Sequence, residues 1–505
     1  MPKKSTPTWA SDVVSHESAF LQYTRAEAAN RPIRERIRDF QEFHEVQPVT
    51  VLQQQAARCM DCGISFCHAG MTVDGTSIGC PLSNLIPEIN DLVYRGMYAE
   101  AYERLRRTNP FPEFTGRICP ALCEGSCTLG EHEPPVTIKD IEHFLDEYAQ
   151  EHDLLLPHPP QARTGRRVAV VGSGPSGLAC AHQLNQLGES VTVFERADRP
   201  GGLLMYGVPT MKLDKGVILS RIAILEAEGI DFELKAEVGK AVALRELFDN
   251  FDAVVLCCGS AIARRLEVPG ANLKGVAYAI GYLTNATRRQ LDEAYSGPEL
   301  LDAKGKDVVI VGGGDTGNDC LATAIRQRCR SVVQFQHNPA PPLTRAADNP
   351  WPLWPKVLKT DYGQLEAIEV FGKDPREFET SVKEVSGDEN GNVVAVKTAR
   401  YQMQWQGSKR IKSEVPGSEL TRPADLILVA MGFERPQGAL IEALELETDD
   451  RGNVKTPTGG YSTSLNSVFA CGDMRRGQSL VVWALMEGRE CADEVHGFLN
   501  KHNLA

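Results

Sequence analysis

The spacing of apolar positions changes character twice along the chain. Up to about residue 150 they recur every three or four residues, the signature of helices that bury one face. LQYTRAEAANRPIRERIRDFQEF (21–43) and NLIPEINDLVYRGMYAEAYERLRR (84–107) carry this pattern most clearly and predict amphipathic helices. Cysteine-bearing loops separate them. EHDLLLPHPPQARTG (151–165) interrupts the pattern, and its prolines and polar residues predict a linker. Short unbroken apolar runs then replace the helical period. RRVAVVGSGPSGLACAHQLNQLGESVTVFER reads as strand, tight turn, helix and strand, and a second unit of this kind begins at KDVVIVGGGDTGNDCLATAIRQRCRSVVQFQH. The expected fold class is α/β: a helical N-terminal domain (1–160) followed by two Rossmann-like dinucleotide-binding domains. One of these (301–430) is inserted in the other (161–300 plus 431–505).

Composition narrows the function. The chain has 505 residues and a formal net charge of −13, which argues against a nucleic-acid partner. It has no apolar run long enough for a membrane span. Its start, MPKKSTPTWASD, lacks the apolar core of a secretory signal, so a cytoplasmic location is expected. In a reducing compartment clustered cysteines bind metal or do redox work more often than they form disulfides. Seven of the fourteen cysteines lie between Cys59 and Cys127, as Cys59-x2-Cys62-x4-Cys67-x12-Cys80 and Cys119-x3-Cys123-x3-Cys127. One zinc site uses four ligands. Seven thiols exceed that and fall one short of two all-cysteine clusters, so two iron–sulfur cubanes would need one ligand of another type. Zinc and purely structural cysteines remain the alternatives. His68, adjacent to Cys67, reads as a neighbour of the site or a surface residue. Cys257-Cys258, at the end of the strand AVVL, reads as core packing.

The first glycine motif is Gly172-Ser-Gly174-Pro175-Ser176-Gly177, directly after the strand Val168–Val171. Gly172 permits the turn, Gly174 lets backbone N–H groups reach a pyrophosphate, and Gly177 lets the helix approach the strand. Glu195 ends the next strand, where a carboxylate meets a ribose hydroxyl. Gly202 and Leu203 follow in a second glycine turn. Near the C-terminus an apolar strand ends at Gly472-Asp473, and a helix is expected to start near Gln478-Ser479-Leu480. In two-dinucleotide flavoproteins a similar arrangement puts the Asp on the flavin ribityl chain and the helix start near the ring, which points to FAD. As an isolated residue, Asp473 would read as a helix cap. The second motif, Gly312-Gly313-Gly314-Asp315-Thr316-Gly317, follows Val308–Val311. The strand after it, Val332–His337, ends without the acidic residue that favours NAD. With Arg326, Arg328, Arg330 and Arg345 nearby in sequence, this leans toward NADPH.

The stretches RCMDCGISFC, GCPLSNLIPEINDLVYRG, NPFPEFTGRICPALCEGSC, GGLLMYGVPTMKLDK, VIVGGGDTGNDC, DNPWPLWP and CGDMRRGQSLVVWA resemble the small (beta) subunit family of NADPH-dependent glutamate synthases. The same module occurs in dihydropyrimidine dehydrogenase and in ferredoxin–NADP oxidoreductase subunits. The resemblance runs from about residue 40 to the C-terminus. It implies two 4Fe–4S clusters, FAD and NADPH. Cys59, Cys62, Cys67 and Cys127 would hold one cluster. Cys80, Cys119 and Cys123 would hold the other, with Glu142 as its non-cysteine ligand. The loop MTVDGTSIG before Cys80 is longer than in some relatives. Lys212, in PTMKLDK, reads either as a neighbour of the flavin or as a surface lysine.

NADPH delivers electrons in pairs and an iron–sulfur cluster takes one, so a flavin between them is required. No conventional acid–base residue is expected. The resemblance also implies a large (alpha) subunit carrying FMN and an amidotransferase domain, which makes L-glutamate from L-glutamine and 2-oxoglutarate in ammonia assimilation. With Met-Pro-Lys-Lys-Ser at residues 1–5 and no stretch to spare for an FMN-bearing barrel, this polypeptide is not expected to do that chemistry alone. The alternatives are the same module serving another acceptor, such as ferredoxin, and a nucleotide-binding sensor without turnover.

Overall fold

The computed structural model describes residues 18–292, 294–298, 301–406 and 409–501; the N-terminal peptide discussed above lies outside them. The helical expectation for 84–107 is met by two helices, Ile86–Tyr94 and Tyr98–Arg106, separated where Gly96 takes φ +72°. Ile86, Ile89 and Val93 form the buried face of the first, and Ala101, Tyr102 and Leu105 that of the second.

The stretch 21–43 differs. Only Ala19–Gln22 and Ile33–Arg36 are helical. Pro32 disfavours helix at the residue before it. Side chains from elsewhere then take the carbonyls of the intervening strap: Arg58 donates to Tyr23 O (2.9 Å), Gln55 to Thr24 O (3.0 Å) and Gln47 to Ala26 O (2.7 Å). Tertiary bonds thus replace the helical ladder.

The first parallel sheet runs in the order Val468–Ala470, Ala253–Leu256, Arg167–Val171, Ser190–Glu195, Asp231–Leu234. Its central strands are apolar and buried because helices cover both faces. The C-terminal helix Val481–Lys501 packs on Pro175–Gln186, where Gly488 lies against the backbone of Ser176. The second parallel sheet has the order Arg376–Glu377, Ser331–Phe335, Asp307–Val311, Leu426–Val429, Val276–Tyr278. An antiparallel sheet from Thr380–Gly387, Val393–Gln406, Lys409–Glu414 and Leu420–Pro423 is attached to it.

The insertion is as expected, but the boundary at 300/301 is not. Val276–Tyr278 belongs to the second sheet, and Ala279, Tyr282 and Leu283 of the following helix pack into its core. The crossing lies at Ile262–Ala263, which pairs antiparallel with Phe433–Arg435. Two short linkers therefore join the dinucleotide units.

The strap 31–43 ties all three parts together. Arg36 and Arg326 both bond the Glu366 carboxylate, at 2.7 Å and 2.6 Å, and all three groups are buried. Phe43, Met211, Ala322 and Tyr362 form a small core where the parts meet.

Buried Lys215 starts the helix Lys215–Ala227 and donates to Leu204 O (2.8 Å) and Val208 O (2.6 Å), fixing the turn that carries Gly202 and Leu203. Burial pulls its ammonium down to about 7. The unfolded chain keeps this proton up to about pH 10.5 while the folded chain releases it above 7, so Lys215 makes stability rise with pH in that window. Relative to Lys215→Met, the native chain should gain roughly 2 kcal/mol between pH 7 and pH 9. Denaturant melts of both at the two pH values would check this; no change in their difference would refute it.

Candidate functional site

Two cavities in the helical domain are lined by cysteines. Cys59, Cys62, Cys67 and Cys127 surround the first, with Asn90, Ile86 and Val136. Cys80, Cys119, Cys123 and Glu142 surround the second, with Asn84, Thr115 and Val482. The long loop before Cys80 is a hairpin, Met71–Val73 with Thr76–Ile78, that projects outward without displacing it. Cys80 N–H donates to Cys67 O at 2.7 Å, which closes the hairpin's base.

Burial raises these thiols: Cys59 to about 11, Cys119 to about 12, Cys67 and Cys80 further, and Cys123 well above the ordinary thiol range. Their ionisation here needs cationic charge inside the cavity, as iron supplies. Asn90 is buried on the first cavity with neither amide atom hydrogen-bonded, which fits a hydrogen-bonding group in that space. Among the described residues no three His, Cys, Asp or Glu side chains converge as a single-ion site requires. Glu142 lies in the second cavity wall. Its Oε1 accepts from Asn84 Nδ2 (2.8 Å) and its Oε2 from Thr115 Oγ1 (3.3 Å), and burial raises its carboxyl to about 7. His68 does not line either cavity.

The first dinucleotide cradle assembles at the C-terminal ends of the first sheet. Gly172 has φ +106°, and a Cβ on Gly177 would lie 1.9 Å from Gly172 O, so both must be glycine. A Cβ on Gly174 would meet open space, where a phosphate group can approach. Pro175 and Ser176 open the helix. Gly202 packs on Gly174, and Gly472 packs on Ser176. Leu203 is exposed beside them. Asp473 accepts from Ser479 Oγ (2.6 Å), and burial raises it to about 6. Glu195 accepts from Ser173 N–H (3.1 Å), Ser173 Oγ (2.6 Å) and Ala197 N–H (2.8 Å). Ser173, which sequence reading passed over, also accepts from Gly201 N–H (3.0 Å), joining both glycine turns. Gln478 accepts from Phe433 N–H (2.6 Å), and so anchors an interdomain linker. The C-terminal helix begins at Val481, directly after Leu480.

The second cradle repeats this pattern. Gly312 has φ +129°, and a Cβ there would lie 2.1 Å from Ala430 O. Gly313 lies under the Gln336 side chain, Gly314 faces open space, and Asp315 and Thr316 begin the helix Asp315–Arg326.

The arginines near this motif require a correction. Arg330 pairs with Asp307 (2.7 Å) and Asp425 (2.6 Å). Arg328 precedes the same strand, so both stand at the N-terminal strand edge, whereas nucleotides bind at the C-terminal edge. Arg326 is spent on Glu366. Arg345 donates to Leu353 O (2.6 Å) and Gly125 O (2.8 Å), away from the glycine turn. Lys212 is not at the surface either: it pairs with Asp319 (3.4 Å) of the second unit, below the Tyr362 ring. Cys257 is core, 3.4 Å from Cys471 across the two sulfurs, but Cys258 is exposed.

Comparison with known proteins agrees with this arrangement. Residues 36–154 match the family model "Dihydroprymidine dehydrogenase domain II, 4Fe-4S cluster". Residues 170–220 match an NAD(P)-binding Rossmann-like domain, and 375–488 a pyridine nucleotide-disulphide oxidoreductase. The glutamate synthase (NADPH) small chain of Bacillus subtilis is 47% identical, over 95% of this chain and 98% of that one. The glutamate synthase (NADH) of Schizosaccharomyces pombe is 46% identical over 94% of this chain, but over only 22% of its own length. FprA of Mycobacterium tuberculosis in complex with NADPH shares the fold of the dinucleotide domains, with a TM-score of 0.51 and 19% identity over 68% of this chain and 86% of that one. The cofactor set is FAD, NADPH and iron–sulfur clusters, and the chain is an NADPH-dependent oxidoreductase. It belongs to the family of glutamate synthase small chains.

Proposed function

We propose that this chain takes electrons from NADPH and passes them to a large subunit that makes L-glutamate from L-glutamine and 2-oxoglutarate. One observation carries the order of carriers. Val482 lines the Glu142 cavity two residues after Leu480, at the start of the helix that faces the flavin cradle. The cavity of Cys80, Cys119, Cys123 and Glu142 therefore lies on the flavin side. The cavity of Cys59, Cys62, Cys67 and Cys127 lies toward the outside: Cys62 is only partly buried, and Ile64 beside it is 78% exposed. That edge is the exit to an acceptor.

When bound, FAD converts a two-electron hydride donor into a one-electron source for the clusters. The chain positions these groups. Gly172, Gly174, Gly177 and Gly202 would bring backbone N–H groups to the dinucleotide, and Asp473, held by Ser479, would hold the flavin's ribityl hydroxyls. Gly312, Gly313 and Gly314 do the same for NADPH, aided by the missing acid after Phe335. Glu142, held by Asn84 and Thr115, supplies the ligand that the seven cysteines lack.

The S. pombe relative supports a large partner, because the matching region there is about a fifth of one continuous chain. The large subunit's FMN and amidotransferase belong to this proposal, as does a cytoplasmic location. Among the described residues no helix is long and apolar enough to cross a membrane. An acceptor such as ferredoxin remains the competing assignment. The test is anaerobic NADPH addition to the chain with its large subunit, glutamine and 2-oxoglutarate. Flavin bleaching, about eight iron and eight sulfide per chain, and glutamate formation are expected. Bleaching and iron without glutamate, but with rapid ferredoxin reduction, would favour the alternative.

A further inference from the structure

The motif DNPWPLWP lies in the nucleotide-binding part of the sequence, between the strand Ser331–Phe335 and the helix Tyr362–Phe371, yet it does not face the nucleotide. It reaches the cysteine loops. Trp351 Nε1 donates to Cys127 O (3.2 Å), and its ring stands edge-on to Phe66, beside Cys67, at 4.9 Å between centroids. Trp354 N–H donates to Ser77 O (3.2 Å), holding the hairpin between Cys67 and Cys80. The Trp354 ring lies so close to Gly125 that a Cβ there would meet it at 2.8 Å. Arg345 bonds Gly125 O and Leu353 O, pinning the arm at both ends. Asn349, buried, holds the turn through Trp354 O (3.1 Å) and Lys356 N–H (2.7 Å). Ser126, fully buried between Cys123 and Cys127, accepts from Gly79 N–H (2.9 Å) beside Cys80 and donates to Pro352 O (2.8 Å). One hydroxyl thus joins a loop from each cavity to the arm.

We propose that the arm Arg345–Trp354 is a cover carried by the nucleotide-binding unit, and that Trp351 is a positioning residue for the outer cluster. This rests on the cluster reading of the cysteines above. Trp351 acts through Cys127 and Phe66: it fixes the backbone that presents Cys127 and Cys67, and its ring, packed on Phe66 behind the cavity wall, keeps water from the loop that carries Cys67. A cluster ligated by four thiolates becomes more negative on reduction. Water admitted beside it stabilises the reduced form and raises its potential. The inner cluster, walled by Glu142, Asn84 and Val482, does not touch Trp351 and should not respond.

The experiment is an EPR-monitored redox titration of the complex with its large subunit, native and Trp351→Ala. The outer cluster is identified by the signal that Cys62→Ser perturbs. Trp351→Ala should shift its one-electron equilibrium toward reduction by about tenfold, equivalent to 59 mV, and speed its bleaching in air. The inner signal should stay in place. Trp351→Phe, which keeps an aromatic ring against Phe66 but loses the Nε1–H bond to Cys127 O, should shift the potential in the same direction by less than Trp351→Ala. Equal shifts of both clusters, or no shift with unchanged bleaching, would overturn the proposal. If Trp351→Ala does not accumulate with iron, Arg345→Met decides: it loosens the arm without touching the ring, and an unshifted outer potential would refute the cover. A native complex with no iron–sulfur signal would remove the cluster reading and this inference together.

Discussion

Exchanging Cys123 for serine should separate the two halves of the reaction. Glutamate formation by the complex should fall by roughly 100-fold or more, since loss of even an outer partner of a metal ligand costs 10–100-fold. NADPH-dependent reduction of an artificial dye should stay within about threefold of native, because the dye takes electrons from the flavin before the clusters are used. The structure sets this asymmetry. Cys123 is buried on the second cavity with Cys80, Cys119 and Glu142, a cavity that no residue of either glycine motif lines. Burial raises its thiol well above the ordinary range, which fits a pocket that holds a cation. Parallel loss of both activities would mean that Cys123 serves the fold of the whole chain. Full retention of glutamate formation would remove the inner cluster from the electron route. Iron assay of the same sample distinguishes a lost cluster from a bypassed one.

What the sequence made legible followed from local constraint. Each glycine motif lies within a few residues of the strand and helix it joins, so Gly172, Gly177 and Gly312 carry their geometric reason in their spacing. The cysteines were legible for a similar reason: short intervals place them on neighbouring loops. The structure brings seven of them and Glu142 to two cavities, in the grouping the resemblance implied. The parts that stayed hidden depend on contacts remote in sequence. Trp351 meets Cys127 across 224 positions, and Arg36 meets Glu366 across 330. No periodicity reports such pairs.

The arginines show the opposite error, nearness in sequence taken for nearness in space. Arg328 and Arg330 are a few residues from the second cradle's helix, but a parallel strand carries nucleotides at one end only, and they stand at the other. The strap failed for a third reason. Its apolar spacing suits a helix, yet Pro32 and the carbonyl-seeking side chains of Gln55 and Arg58 give the backbone better partners than its own turns. The domain boundary slipped because Val276–Tyr278 is too short to announce itself before the second glycine motif.

The strap also yields the largest expected effect on stability. Glu366 is fully buried between Arg36 and Arg326, both nearly inaccessible, so the group already holds one more positive charge than negative. Replacing Glu366 with glutamine leaves two buried guanidinium groups with no carboxylate, which costs on the order of 3–5 kcal/mol. The Arg36 Nη2 atom is already without a hydrogen-bond partner, and the other groups the pair reaches, the carbonyls of Arg31, Asp39 and Ala322, carry no charge that could replace the carboxylate. The strap should detach first, because Arg36 is its buried anchor on the nucleotide-binding unit, and the Phe43, Met211 and Tyr362 junction should loosen with it. The expected results are an earlier first unfolding transition, faster proteolysis within residues 33–43, and slower flavin bleaching by NADPH, since the strap helps to set the angle between the two units. Because a chain of several domains need not unfold in one step, the first transition is the quantity to compare. Charge, rather than volume, is the proposed cause. A triple replacement, Arg36→Met with Arg326→Leu and Glu366→Leu, should therefore recover most of the lost stability, as apolar substitutes for buried ion clusters do. If the triple variant is as unstable as Glu366→Gln, the carboxylate's role lies in shape and hydrogen bonding instead.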